Sequence, residues 1–125
     1  MYKYFDILDK YFYEFGLKKK EKLSQLHDIY EYYNSKINLI SRKDFENFYL
    51  HHVIHSLTLC KFIENKKLNI LDLGTGGGFP GIPLSIFFEK NSFLLIDSIS
   101  KKIKILNKII KKLNLNNVQT LNGRV

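Results

Sequence analysis

The sequence predicts an α/β fold: a parallel βαβαβ unit set behind a helical N-terminal region. Three observations predict it. Two short apolar runs, "LNILDLG" and "SFLLIDS", have the length and composition of buried strands. An amphipathic or apolar stretch of helical character follows each of them. Between the two runs, five of the seven glycines and both prolines crowd into Asn69–Ile86. That is where a strand must turn sharply into a helix.

The elements follow in order. Phe5, Leu8, Phe12 and Phe15 recur at spacings of three and four, which puts them on one helical stripe. Gly16 follows that run as its stop signal. Leu23, Leu26, Tyr30 and Tyr33 form a second stripe, which dissolves in "NSKIN". Ser41, three residues before Asp44, reads as a capping box for a third helix. Phe45, Phe48 and His52 carry that helix on to about Ile63. The tyrosines and phenylalanines concentrated in this half read as packing.

The pattern changes after "ENKK". "LNILDLG" is the first strand, and the helix after it starts near Pro80 or Pro83, since proline suits a first helical turn. "SFLLIDS" is the second strand. "SKKIKILNKIIKKLNL" is an amphipathic helix whose inner stripe is Ile99, Ile103, Leu106, Ile110 and Leu113. "NVQTLNGRV" opens a third strand. Residues 1–65 are thus read as a helical region and 66–125 as the first half of a doubly wound sheet. Three parallel strands leave an edge and one face uncovered. The final "RV" stops in mid-strand, so the chain is expected to be the first part of a longer protein.

Composition narrows the function classes. With 125 residues and 45% apolar content the chain has the material for one core. It holds no apolar run of membrane-spanning length and no secretory signal pattern at the N-terminus. The lone Cys60 forms no internal disulfide and reads as a small helix-borne hydrophobe. Together these point to the cytoplasm. The net charge is +8, and it is lopsided. Residues 1–65 carry ten Lys/Arg against nine Asp/Glu, residues 66–125 ten against three. Such asymmetry fits a polyanionic partner for the second half, although heavy use of Lys, Asn and Ile produces the same bias without one.

The glycine loop lies beyond a strand's carboxyl end, where open α/β sheets bind ligands. Glycine at 74, 76, 77 and 78 exceeds what a single turn needs. Gly74, Gly76 and Gly78 allow positive φ and close approach to the main chain. Gly76-x-Gly78-x-x-Gly81, with Asp97 further on, matches a dinucleotide fingerprint. However, the third fingerprint position counted from Gly74 is Phe79, and Pro80 falls where the pyrophosphate-cradling helix should begin. The competing pattern, Asp72-x-Gly74-x-Gly76-x-Gly78, is the acidic-plus-glycine loop of S-adenosylmethionine enzymes. Asp72 suits the cofactor's ammonium, directly or through the loop, and Asp97 suits the two ribose hydroxyls.

"DLGTGGGFPGIPLSI" followed by "LLIDSISKKIKIL" resembles the bacterial 16S rRNA guanine-N7 methyltransferase family, also called glucose-inhibited division protein B. Upstream, "INLISRKDFENFYLHHVIHSL" resembles that family's N-L-(T)-x-I…R-H-I-L-D-S-L segment. The likeness spans residues 25–125, with His55 standing where the family usually has Asp. It implies a Rossmann-like class I methyltransferase fold with S-adenosylmethionine as cofactor. The reaction implied is methylation of N7 of a guanine in the 530 loop of 16S rRNA, on the rRNA or the small ribosomal subunit. Gly74 and Phe79 would be cofactor-contacting positions. Arg124-Val125 would match an R-V-E motif, with Val125 beside the adenine.

N7 carries an in-plane lone pair, so no catalytic base is required, and none is visible. His51, His52 and His55 fall at i, i+1 and i+4 without a completing Cys or acid cluster, so no metal site is expected. RNA contact falls to Lys101, Lys102 and Arg124, with the lysines farther along the same helix forming a positive rim. Two rivals stay open: a nicotinamide-dependent oxidoreductase on a similar unit, and a non-catalytic RNA- or cofactor-binding fragment.

Overall fold

The computed structural model describes residues 3–11 and 16–124. Phe12 and Phe15 of the expected first stripe lie outside these residues, as does Val125. Helix α1 spans Phe5–Tyr11 and buries Phe5 and Leu8. Gly16, at φ +81, sits directly ahead of α2, Leu17–Asn34. The buried stripe of α2 is Leu23, Leu26, Tyr30 and Asn34, whereas Tyr33 is only half-buried. Its spacing of three and four faces one side of a 3.6-residue helix.

The third helix is not regular. Residues 42–62 form a 3-10 turn (Arg42–Asn47), a π-helical turn (Tyr49–Ile54), a single α turn α3 (His55–Leu57) and a second 3-10 turn (Thr58–Phe62). Phe48, Tyr49, Val53 and Leu57 all point inward. The pitch changes at Phe48, from the 3-10 turn that ends at Asn47 to the π turn that begins at Tyr49. Ser41 makes no side-chain cap here. Its backbone oxygen accepts from the Asp44 N–H, and the Asp44 carboxylate is taken by His51 at 2.6 Å.

Strands β1 (Asn69–Leu73), β2 (Ser92–Asp97) and β3 (Val118–Asn122) form a parallel sheet in the order β1-β2-β3. Helix α4 (Gly81–Phe87) joins β1 to β2, and α5 (Ser100–Lys112) joins β2 to β3. Both crossovers run in the same direction along the sheet. The right-handed rule then places α4 and α5 on the same face. The register puts Ile70 and Asp72 of β1, Phe93 and Leu95 of β2, and Val118 and Thr120 of β3 on that face. Phe93, Leu95 and Val118 are buried there.

The other face holds Leu71, Leu73 and Leu121, which are 53%, 52% and 52% exposed. The expectation that "LNILDLG" forms a buried strand is therefore corrected: β1 alternates between exposed and half-buried positions. An apolar run reads the same in sequence whether one face or both are covered.

Helix α4 begins just after Pro80, and Pro83 falls in its first turn, where a missing N–H costs no intrahelical bond. In α5 the inner residues are Ile103, Ile105, Leu106 and Ile109, continued by Leu113. Two members of the expected stripe are corrected. Ile99 precedes the helix in extended conformation and is 46% exposed, and Ile110 is only partly buried. One core joins both halves of the chain. Leu23, Leu26, Tyr30 and Phe48 pack with Ile82, Leu95 and Leu106, and α2 rests on α4. Cys60 is half-buried rather than core, and burial pushes its thiol up to about 11, so it is protonated at neutral pH.

Candidate functional site

The three strands end together, and the described residues among those predicted for the site lie at these ends or on the segments that follow them. The chain leaves β1 through Gly74, Gly76 and Gly78, all left-handed at φ +68, +58 and +97. The sheet holds the resulting loop in three places. The Thr75 N–H donates to the Ile96 carbonyl at 2.9 Å, and the Gly76 N–H donates to Asp97 Oδ2 at 2.8 Å. Asp72 Oδ2 accepts from the Thr75 hydroxyl at 2.7 Å and from the Gly81 N–H at 3.0 Å. One carboxylate oxygen thus ties the strand end, the loop and the first residue of α4 together. Of the two roles open to Asp72, its hydrogen bonds are those of a loop support.

The two acids differ electrostatically. Burial raises the Asp72 pKa and the nearby Asp97 charge adds to the rise, while the Thr75 and Gly81 bonds pull it back. For Asp97 burial is the largest single influence and raises the pKa, but the N–H groups of Ile99, Gly76 and Ser98 and the Lys102 charge together outweigh it. Its pKa is net lowered, so it is a firm carboxylate at neutral pH. Oδ1 accepts from Ile99 and Oδ2 from Gly76. A carboxylate offers about four acceptor positions, so Asp97 keeps acceptor capacity beyond these bonds.

Lys101 and Lys102 stand on the first turn of α5, shortly after this acid; Lys101 is exposed and Lys102 half-buried. Exposed Arg124 follows Gly123, whose N–H donates to the Asp97 carbonyl at 3.0 Å. The Phe79 ring turns the other way. It packs against Tyr30, Phe48 and His52, at ring separations of 5.1, 6.0 and 5.1 Å. What the loop offers a ligand is therefore its main chain. Nothing lies within 4 Å of the position a side chain would take at Gly74 or Gly76. Gly77 is different: a Cβ there would stand 2.9 Å from the Leu39 carbonyl oxygen.

Two residues at this site escape a reading of the sequence. Tyr30 reads as one more core aromatic, yet its hydroxyl donates to the Gly77 carbonyl at 2.7 Å. Asn34 is buried at the end of the α2 stripe. It accepts from the N–H groups of Leu39 and Ile40 and donates to the Ile40 carbonyl. A polar residue four positions after Tyr30 on a buried stripe was the available signal.

His52 lies behind Phe79. Burial lowers its pKa, as do His51 and His55, and Asp44 works in the opposite direction. The folded chain then binds fewer protons than the unfolded one below the ordinary histidine value of about 6.5. Stability is expected to fall as pH drops through that range. Urea midpoints at pH 7.5 and 5.5 should differ less in His52→Gln than in the parent chain.

Among the described residues no group of three or more His, Cys, Asp or Glu is arranged to hold a metal ion. No described helix is long and apolar enough to cross a membrane. A hollow of about 460 Å³ lined by Asn69, Ser92 and Asn117 opens at the opposite end of the strands. The rule for open α/β sheets favours the carboxyl end, where the loop and Asp97 lie.

The architecture is that of the Rossmann-like methyltransferases. The coclaurine N-methyltransferase crystal structure, solved with N-methylheliamine and SAH, aligns over 94% of this chain and 33% of its own, at 15% identity and a TM-score of 0.56. The precorrin-6Y C5,15-methyltransferase of Geobacter metallireducens aligns over 70% and 42%, at 15% identity and a TM-score of 0.52. Within that class, residues 19–125 match the family described as rRNA small subunit methyltransferase G, and the chain belongs to this family. Relatives named ribosomal RNA small subunit methyltransferase G occur in Porphyromonas gingivalis and Parabacteroides distasonis. The first is 48% identical over 95% of this chain and 54% of its own length, the second 49% over 91% and 50%. The chain thus spans about half the length of these relatives.

Proposed function

We propose that this chain carries the cofactor half of an S-adenosylmethionine-dependent enzyme that methylates N7 of a guanine in the 530 loop of 16S rRNA. The observation that carries the reading is the Asp97 carboxylate, charged and with acceptor capacity left, beside a glycine loop whose main chain is bare at Gly74 and Gly76. Two adjacent acceptor positions suit a pair of ribose hydroxyls, and a bare main chain suits close approach of an amino-acid end. The main chain of Gly74, Gly76, Gly78 and Phe79 would form the cradle, and Val125 its adenine side. When bound, the cofactor supplies an electrophilic methyl on sulfur.

The chain's own contribution is binding and alignment. Guanine N7 presents its lone pair without losing a proton, so no side chain has to act as a base. In favourable cases alignment of reacting groups supplies on the order of 7–11 kcal/mol. Asp72 and Asp97 fix the loop that does the aligning. Lys101, Lys102 and Arg124 are read as phosphate contacts flanking it, with Lys104, Lys108, Lys111 and Lys112 extending the positive charge along α5. A loop guanine is reached without opening a helix. Residues 66–125 are then the cofactor unit and residues 1–65 its support, working in the cytoplasm on the small subunit.

The test is transfer of labelled methyl from S-adenosylmethionine to undermethylated small subunits, followed by nuclease digestion. Label recovered as N7-methylguanosine from 16S rRNA is expected from a protein of the relatives' length that includes this chain. Calorimetric binding of NAD, with none of S-adenosylmethionine, would replace this reading with the oxidoreductase.

A further inference from the structure

We propose that Tyr30 is a positioning residue for the glycine loop: from the middle of α2 its hydroxyl holds Gly77 so that the loop keeps the shape that receives the cofactor. This rests on the cofactor reading above and adds to it an agent outside the sheet unit.

The reasoning begins with the loop. Glycines at left-handed φ have many other conformations open to them, so a loop built from them must be held from outside. The sheet holds it at Thr75, Gly76 and, through Asp72, at Gly81. None of these bonds touches Gly77, which directly follows Gly76, one of the two bare positions. The hold on Gly77 comes from residues 47 and 38 positions earlier in the chain. Tyr30 is 0% exposed, its ring lies 5.5 Å from Phe48 and 5.1 Å from Phe79, and its hydroxyl donates to the Gly77 carbonyl. The Leu39 carbonyl closes on the same residue from the side, held there by the buried Asn34.

A buried phenol needs a partner. Its acceptor here is a carbonyl of the loop rather than of its own helix. Burial also raises the phenol's pKa, so the group stays a donor across the working range. Phe79, flanked by Tyr30 and His52, fixes the far end of the same segment.

The experiment compares the parent chain, Tyr30→Phe and Tyr33→Phe. Tyr30→Phe keeps the ring and removes only the O–H. Tyr33 lies on the same helix, with its ring against Tyr32. Two quantities are read: S-adenosylhomocysteine affinity by calorimetry, and hydrogen exchange of the Gly78 and Phe79 amides without ligand. Tyr30→Phe is expected to bind roughly 3- to 10-fold more weakly, the scale of one buried hydrogen bond. Its loop amides should exchange faster while those of β2 stay as in the parent, and Tyr33→Phe should match the parent in both.

Unchanged affinity with unchanged loop exchange overturns the proposal. So does faster exchange spread evenly over loop and β2, which marks Tyr30 as a core residue only. The cofactor reading fails separately, if the parent chain takes up no S-adenosylhomocysteine. Loop-confined loosening in Tyr30→Phe would still show the hold on Gly77.

Discussion

Gly78→Ala is expected to cost roughly 2–5 kcal/mol of stability, a large part of what a domain of this size possesses. Two effects add. At φ +97 an L side chain is strained, which costs about 1–2 kcal/mol. The new Cβ would also stand 2.8 Å from the Tyr30 hydroxyl, 2.8 Å from Ile82 and 2.9 Å from Leu106. These neighbours are buried and come from three different helices, so none moves without disturbing the others. Overpacking of that kind adds about 1–3 kcal/mol. Gly76→Ala is the matched comparison. It has the same sign of φ, +58, but open space, so only the strain of ~1–2 kcal/mol applies. Urea unfolding of the two variants separates packing from backbone strain. Equal losses would mean that the contacts around Gly78 yield freely.

The second large effect is on cofactor affinity. Asp97→Ala is expected to weaken S-adenosylmethionine binding by ~2–3 kcal/mol, roughly 30- to 150-fold. It removes the proposed acceptor for the ribose and also the partner of the Gly76 N–H at 2.8 Å and of the Ile99 N–H at 2.9 Å. The loop therefore loses its hold at the same moment as the ligand loses its contact. Asp97→Asn keeps one acceptor oxygen and should recover part of the loss. Titration calorimetry measures both variants. Parent-like affinity in Asp97→Ala would remove the ribose assignment.

The strands, the two crossover helices and the glycine loop were legible because each depends on local chemistry. Apolar runs make strands, a period near 3.6 makes helices, and left-handed φ selects glycine at 74, 76 and 78. The irregular pitch of residues 42–62 was not legible, because a succession of 3-10, π and α turns leaves no single period in the sequence. Ile99 looked like a core residue because spacing does not show where a helix begins. The open face of β1 was hidden for a similar reason: Leu71 and Leu73 are as apolar as covered strand residues. Tyr30 was placed correctly in the core. Its use was invisible, since periodicity reports the direction of a side chain and not what its last atom touches.

The open face of the sheet has a consequence for the chain in solution. Leu71, Leu73 and Leu121 line one side, and the lysines of α5 ring the other. With a net charge of +8, the folded chain is an amphiphile on the scale of a whole protein domain. Like repulsion keeps copies apart at low ionic strength, and added salt screens that repulsion while leaving the leucines untouched. Salt thus acts on it in two opposite ways, weakening the proposed contact with rRNA and strengthening its tendency to adhere to oily surfaces.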